Sequence, residues 1–283
     1  KHCEAPVAMI AHTPGAWRLL YFNAPNRGEQ VRMLFFLSKT VFDDVRLAPY
    51  PQGLDPYKTA ALGDDSPLLG TDKVPAVTAP DGTHRVETSE IMRFVGQSVG
   101  LAPPAGSAED EKAMEMTLLI QDVMNGVFYG LLKPLVVKRV VAVGCIQRLI
   151  NGKEYAYLEQ PTTKLAQALQ TIEATLAASG GPYLLGAQLC YADVSLFAIL
   201  REVLAFDCFD RADLLSRHAK LAALLQDLEK KTKPWIEWRV REHQLGIDDT
   251  IQYFAATNTP MPWAKKTDRK TTVCVHTDPA VIM

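Results

Sequence analysis

The 283-residue sequence predicts an α+β domain of four mixed strands (βαβ-ββα) followed by an all-α helical domain. Three observations predict it. Through residue 99, short strand-like runs and two amphipathic segments follow one another as β-α-β, long loop, β-β-α. A Pro/Gly/Ala-rich linker at 100–108 breaks that pattern. Beyond it the apolar period changes to 3.6 and stays there.

Each element has a local reason. Residues 1–16 are polar and carry Pro6, Pro14 and Gly15, which reads as an N-terminal extension. "WRLLYF" (17–22) is apolar on both faces and suits a strand covered on both sides. Asn26 is placed to N-cap the next helix, with Glu29 three residues on as in a capping box. Val31, Leu34, Phe35 and Ser38 then share a face. "VFDDVRL" (41–47) reads as a second strand, and 48–73 as a loop rich in Pro, Gly and Asp. "VPAVTA" (74–79) and "HRV" (84–86) flank Pro80-Asp81-Gly82, the chemistry of a hairpin turn. Thr88 and Ser89 stand where they can cap a helix through 98, with Ile91, Phe94 and Val95 apolar. This order is that of a thioredoxin-like domain, residues 17–99.

The helical domain, 109–243, opens with a helix over 109–133, entered through Ser107 with acidic residues in its first turn. Residues 134–150 are β-branched, but their charge spacing favours an amphipathic helix begun by Pro134. In 161–178, Leu165, Leu169, Ile172 and Leu176 line one face, and Gly180-Gly181-Pro182 ends it. No charge falls between Val194 and Leu200, so 193–206 is read as the buried helix of this domain. From 244 to 283 no period is visible, and the segment reads as an extended C-terminal tail.

Composition narrows the function. The chain is 48% hydrophobic and 22% charged, with a net charge of −2, so nothing draws it globally to nucleic acid or an anionic membrane. The basic, aromatic stretch 230–241 reads as a solvated helix face with its tryptophans turned inward. No apolar run reaches the ~18–20 residues of a spanning helix. The five cysteines show no regular spacing, which predicts free thiols in a reducing compartment. Cys274 with His276, and His2 with Cys3, lack ligand spacing, so no metal site is expected. The 23–28 turn holds no cysteine, which argues against dithiol chemistry there. Tyr21 and Arg27 flank that turn at a helix N-terminus. Residues alone leave two readings: an ordinary strand-to-helix connection, or the rim of an anion site.

Four motifs sharpen the choice. "LYFNAPNRGEQVR" (20–32) carries a strand-end Tyr followed six residues later by Arg. "KVPAV" (73–77), "ETSEIMRF" (87–94) and "PYLLGAQLCYADVSLFAIL" (182–200) follow in order. Together they resemble the cytosolic glutathione S-transferases of the tyrosine type, the alpha, mu, pi and sigma classes, over about 17–243. The resemblance implies that Tyr21 and Arg27 are catalytic and that glutathione is the co-substrate. Tyr21 would donate a hydrogen bond to the thiolate and so lower the thiol pKa. Pro75 would be cis, turning the Val74 backbone outward to pair with the cysteinyl unit. Lys73 would meet the glycyl carboxylate, Thr88 the γ-glutamyl carboxylate and Glu87 the γ-glutamyl ammonium. An apolar electrophile would lie near Phe128, Tyr129 and Leu132.

Family resemblance further implies a homodimer, a cytoplasmic location and a detoxifying transferase, or a related glutathione-dependent isomerase or peroxidase. An organelle interior, mitochondrion or plastid, is the alternative if a leader preceded Lys1. Three departures stand out. Pro25-Asn26 replaces a basic-Gly pair in the turn, and Cys190 stands where a Ser or Thr cap belongs. Met116 falls where many classes carry an Asp that reaches the neighbouring subunit's site. These, with the terminal extensions, keep a second expectation open: a subunit or adaptor of a larger assembly, built on the same fold.

Overall fold

The computed structural model describes residues 13–23, 25–47, 53–124, 164–203, 211–243 and 272–277. Strand β1 (Trp17–Phe22) runs parallel to β2 (Phe42–Leu47) and antiparallel to β3 (Ala76–Thr78), which pairs antiparallel with β4 (His84–Val86). A fifth strand, β5 (Thr272–Thr277), lies antiparallel on β2, giving the order β4-β3-β1-β2-β5. Within the segment 244–283, whose sequence shows no period, residues 272–277 form this strand. A six-residue edge strand has too little local signal, because its pairing is set by a partner far away in the chain.

Helices α1 (Asn26–Leu37) and α3 (Thr88–Ser98) cover one face of the sheet, where Leu19, Tyr21, Phe42 and Val77 join their apolar residues. The other face buries Leu20, Val45, Leu47 and Ala76 against Leu54 and Leu68. Those two leucines come from the 53–73 segment. It folds into the short helix α2 (Thr59–Leu62) between two single 3-10 turns, Asp55–Tyr57 and Gly63–Asp65. Two covered faces explain why β1 is apolar at successive positions.

The start of α1 differs from the expected cap. Asn26 is the first helical residue, at φ 43°, and Pro25 occupies the cap position. The Asn26 Oδ1 still accepts a hydrogen bond, from the Arg27 backbone N–H at 2.7 Å. Glu29 does not turn back to close a capping box. Its Oε1 accepts the indole N–H of Trp235 at 2.8 Å. Ten of the helix's 12 residues are buried, so the single-face reading was too narrow. The helical domain covers the side that local periodicity would leave to water.

That domain contains α4 (Ala108–Met124), α5 (Lys164–Ala178), α6 (Tyr191–Val203), α7 (Arg211–Ser216) and α8 (Ala219–His243). Ser107 Oγ accepts the Asp110 N–H at 3.1 Å and caps α4. The Asp110 carboxylate in turn gathers the Arg93 guanidinium, Gln97 and the Gly106 N–H, tying α3 to α4. Residues 191–200 of α6 are buried on all sides, as the charge-free run from Val194 to Leu200 predicts, with Val194, Leu196, Phe197 and Ile199 in the core. Its Asp193 carboxylate accepts the N–H groups of Leu184 and Cys190, at 2.8 and 3.0 Å. Cys190, a poor acceptor, serves instead as a donor: its thiol points at Asp193 Oδ2 from 3.2 Å. The rest of the expected 109–133 helix and the 134–150 segment lie outside the described residues. Among the described residues, no helix is long and apolar enough to cross a membrane.

Candidate functional site

One cleft of about 430 Å³ opens where the sheet meets α4. It is lined by Phe22, Arg27, Leu54, Lys73, Val74, Pro75, Glu87, Thr88, Ser89 and Gln121. Every glutathione-contacting residue expected from the sequence is in that set except Tyr21. Phe22 and Arg27 come from the turn into α1, Lys73, Val74 and Pro75 from the segment before β3, Glu87, Thr88 and Ser89 from the start of α3, Leu54 from the 53–73 segment, and Gln121 from α4. The Val74–Pro75 peptide is cis, as expected.

The start of α3 is unusual. Glu87 occupies its cap position with φ 63° and ψ 123°, a conformation disfavoured for a residue with a side chain. Such a backbone costs on the order of 1–3 kcal/mol and persists where the surroundings fix it. Thr88 is therefore the first helical residue rather than the cap, and it is buried. Its position at a helix start suits an anion. The cleft carries two cations, Arg27 and Lys73, against one anion, Glu87. Among the described residues, neither Lys73 nor Glu87 is ion-paired.

Tyr21 stands beside the cleft, not in its lining. Its ring lies against Gly28, so close that a Cβ there would come within 2.3 Å of Tyr21 Cδ1. The Arg32 guanidinium sits 5.7 Å from the ring centroid, within cation–π range. A buried ion cluster supports this corner. Arg32 Nε donates to both oxygens of Asp44 at 2.9 and 3.1 Å, and Arg46 Nε donates to Asp44 Oδ2 at 2.8 Å. Burial lowers the pKa of Arg32, but Asp44 and then Glu29 outweigh it, so the guanidinium is held above its ordinary value. The same two arginines reach the turn: Arg32 donates to the Phe22 carbonyl at 3.3 Å and Arg46 to Asn23 Oδ1 at 3.1 Å.

Sequence reasoning missed Phe22, Ser89, Leu54 and Gln121. Phe22 and Ser89 adjoin residues it named, and strand alternation and the helix start were available signals. Gln121 had none, because it reaches the cleft only through domain docking. Its Nε2 donates to Gln30 Oε1 at 2.6 Å and lies 3.3 Å from Ser195 Oγ, and Ser195 also donates to Gln30 at 2.6 Å. The expected electrophile-pocket residues Phe128, Tyr129 and Leu132 lie outside the described residues. Met116 is buried in the core of its own chain, with the Thr175 hydroxyl 3.9 Å from its sulfur. The adjacent Glu115 is exposed and pairs with Lys112 at 2.9 Å.

Comparison with known proteins agrees with this architecture. Residues 151–237 match the family model described as "Glutathione S-transferase, C-terminal domain". Among solved structures, the glutathione S-transferase from Ascaris lumbricoides is similar at TM-score 0.61 and 21% identity, over 79% of this chain and 97% of that one. The Onchocerca volvulus pi-class glutathione S-transferase is similar at TM-score 0.60 and 19% identity, over 82% and 97%. The nu-class transferase from Haemonchus contortus is similar at TM-score 0.58 and 18% identity, over 79% and 97%. No curated protein matches on sequence. The chain thus has the glutathione S-transferase fold, and its residues 151–237 match that family's C-terminal domain model.

Proposed function

We propose that this cleft binds glutathione and that the protein activates its thiol for attack on an apolar electrophile. The observation that carries the reading is the convergence of Arg27, Lys73, Val74, Pro75, Glu87 and Thr88 on one cleft. Glutathione carries two carboxylates and one ammonium at neutral pH. Two cations and one anion in the lining complement that pattern. The buried start of α3 at Thr88 receives the γ-glutamyl carboxylate and Glu87 the ammonium beside it. Lys73 faces the glycyl carboxylate.

Tyr21 and Arg27 then act on sulfur. A free thiol of pKa ~8.5 is only ~3% thiolate at pH 7. Lowering it by about two units, worth about 2.7 kcal/mol, makes the thiolate the major form. A phenol hydrogen bond and the field of Arg27 at the positive end of α1 favour that charge. The burial of the Tyr21 ring against Gly28 specifically favours a second reading, in which the site binds glutathione without turnover and the protein serves as an assembly subunit.

The test is glutathione binding by calorimetry, followed by a conjugation assay with a chloronitrobenzene electrophile. Binding that is weakened about tenfold in Thr88→Ala, with turnover that is lost in Tyr21→Phe, supports the transferase. Binding without turnover, unchanged by Tyr21→Phe, supports the subunit reading. No binding at all overturns both assignments of the cleft.

A further inference from the structure

Strand β5 lies outside the four-stranded thioredoxin-like pattern, and its backbone register ties it to the candidate site. It pairs with β2 through Phe42↔Thr277, Asp44↔Cys274, Val45↔Val273 and Arg46↔Thr272. Asp44 and Arg46 are the two β2 residues whose side chains join Arg32 in the buried ion cluster. Through Arg46 and Arg32 that cluster holds Asn23 and the Phe22 carbonyl. The Leu47 carbonyl also accepts the Asn23 N–H, at 3.4 Å. Phe22 lines the cleft, and Tyr21 precedes it. Without β5, β2 would be an edge strand, with one row of backbone groups open to water and prone to fray.

We propose that β5 is a positioning strand for the cleft. By making β2 an interior strand, it fixes Asp44 and Arg46, and through them the turn at Phe22 and Asn23. The C-terminal segment thereby contributes to a site that its own side chains need not touch. The affinity part of this inference rests on the glutathione reading of the cleft; the structural part does not.

The experiment uses the full chain with Cys274→Pro, which removes a backbone N–H and constrains φ inside β5. Val273→Gly is a milder second variant, which weakens the strand without removing a donor. Amide hydrogen exchange is read in β2 and at Asn23, with α6 as an internal control for global unfolding. Expected is exchange about tenfold faster at both β2 and Asn23, with α6 unchanged. The glutathione dissociation constant should rise by about five- to tenfold, and a synthetic peptide of residues 270–279 should restore both readouts. Faster exchange in β2 with unchanged exchange at Asn23 and unchanged affinity would reduce β5 to an edge cover and overturn the proposal. Unchanged exchange in β2 in both variants would overturn it as well. Should the parent chain bind no glutathione, the functional reading fails, and exchange at Asn23 still decides the role of β5.

Discussion

The ring of Tyr21 lies directly on Gly28: a Cβ at residue 28 would stand 2.3 Å from Tyr21 Cδ1 and 2.6 Å from Cγ. Those are ring atoms held in the core, and they cannot swing aside as the tip of a flexible side chain can. Gly28→Ala must therefore move the ring or the first turn of α1. The expected cost is about 1–3 kcal/mol, the range for overpacking a filled site. Urea denaturation measures it, and a stability equal to the parent would mean that the ring has room. Conjugation should fall more steeply than glutathione binding, because Tyr21 moves while Lys73 and Thr88 do not.

Trp235 and Glu29 join the two domains through one buried hydrogen bond of 2.8 Å. Trp235→Phe leaves the ring's apolar bulk nearly intact and removes the donor. The expected loss is about 1–3 kcal/mol, the penalty for stranding a buried acceptor. A double-mutant cycle with Glu29→Met, which keeps the length and removes the acceptor, should give a coupling energy above about 0.5 kcal/mol. Additive effects would show that the bond contributes nothing to docking.

Two buried carboxylates should give opposite pH dependences. Burial pushes Asp193 up to about 6, despite the N–H groups of Leu184 and Cys190 that favour its charged form. The folded state thus holds this proton between pH ~4 and ~6 while the unfolded state has released it. The resulting stability is present below the unfolded value and is lost as pH rises through about 6. Burial also raises Asp110, but the Arg93 hydrogen bond and the Gly106 N–H outweigh it and hold the carboxyl below its usual range. Its contribution is present above the unfolded value and is lost on acidification. Relative to the parent, Asp193→Asn should therefore be more destabilised at pH 4 than at pH 7, by on the order of 2–3 kcal/mol. Asp110→Asn should show the reverse trend. Parallel stability curves for parent and variants would refute the assignment.

Thr88→Ala removes one hydroxyl at the start of α3 and leaves the helix backbone in place. Glutathione affinity should fall by about tenfold, near 1.4 kcal/mol, with thermal stability shifted by only a few degrees. Lys73→Ala, at an exposed position, should weaken binding by less and lose most of its effect in high salt. Equal salt dependence in parent and variant would remove Lys73 from the site.

Much of this protein was legible in its sequence, because those features are local. Strand β1, the hairpin around Asp81 and Gly82, and the charge-free run 194–200 within α6 each declare themselves within a dozen residues. Lys73, Val74, Pro75, Glu87 and Thr88, singled out by the resemblance of their motifs, line one cleft. The tertiary structure decided the rest. It turned Glu29 from a capping residue into the acceptor for Trp235, 206 positions away. It brought Gln121 to Gln30 across 91 positions, and Ser195 to Gln30 across 165. It withdrew the Tyr21 ring onto Gly28 and drew a strand out of a segment that showed no period. The physical reason is the same throughout. Propensity and periodicity act over a few residues, whereas a buried polar group or an edge strand takes the partner that chain return supplies.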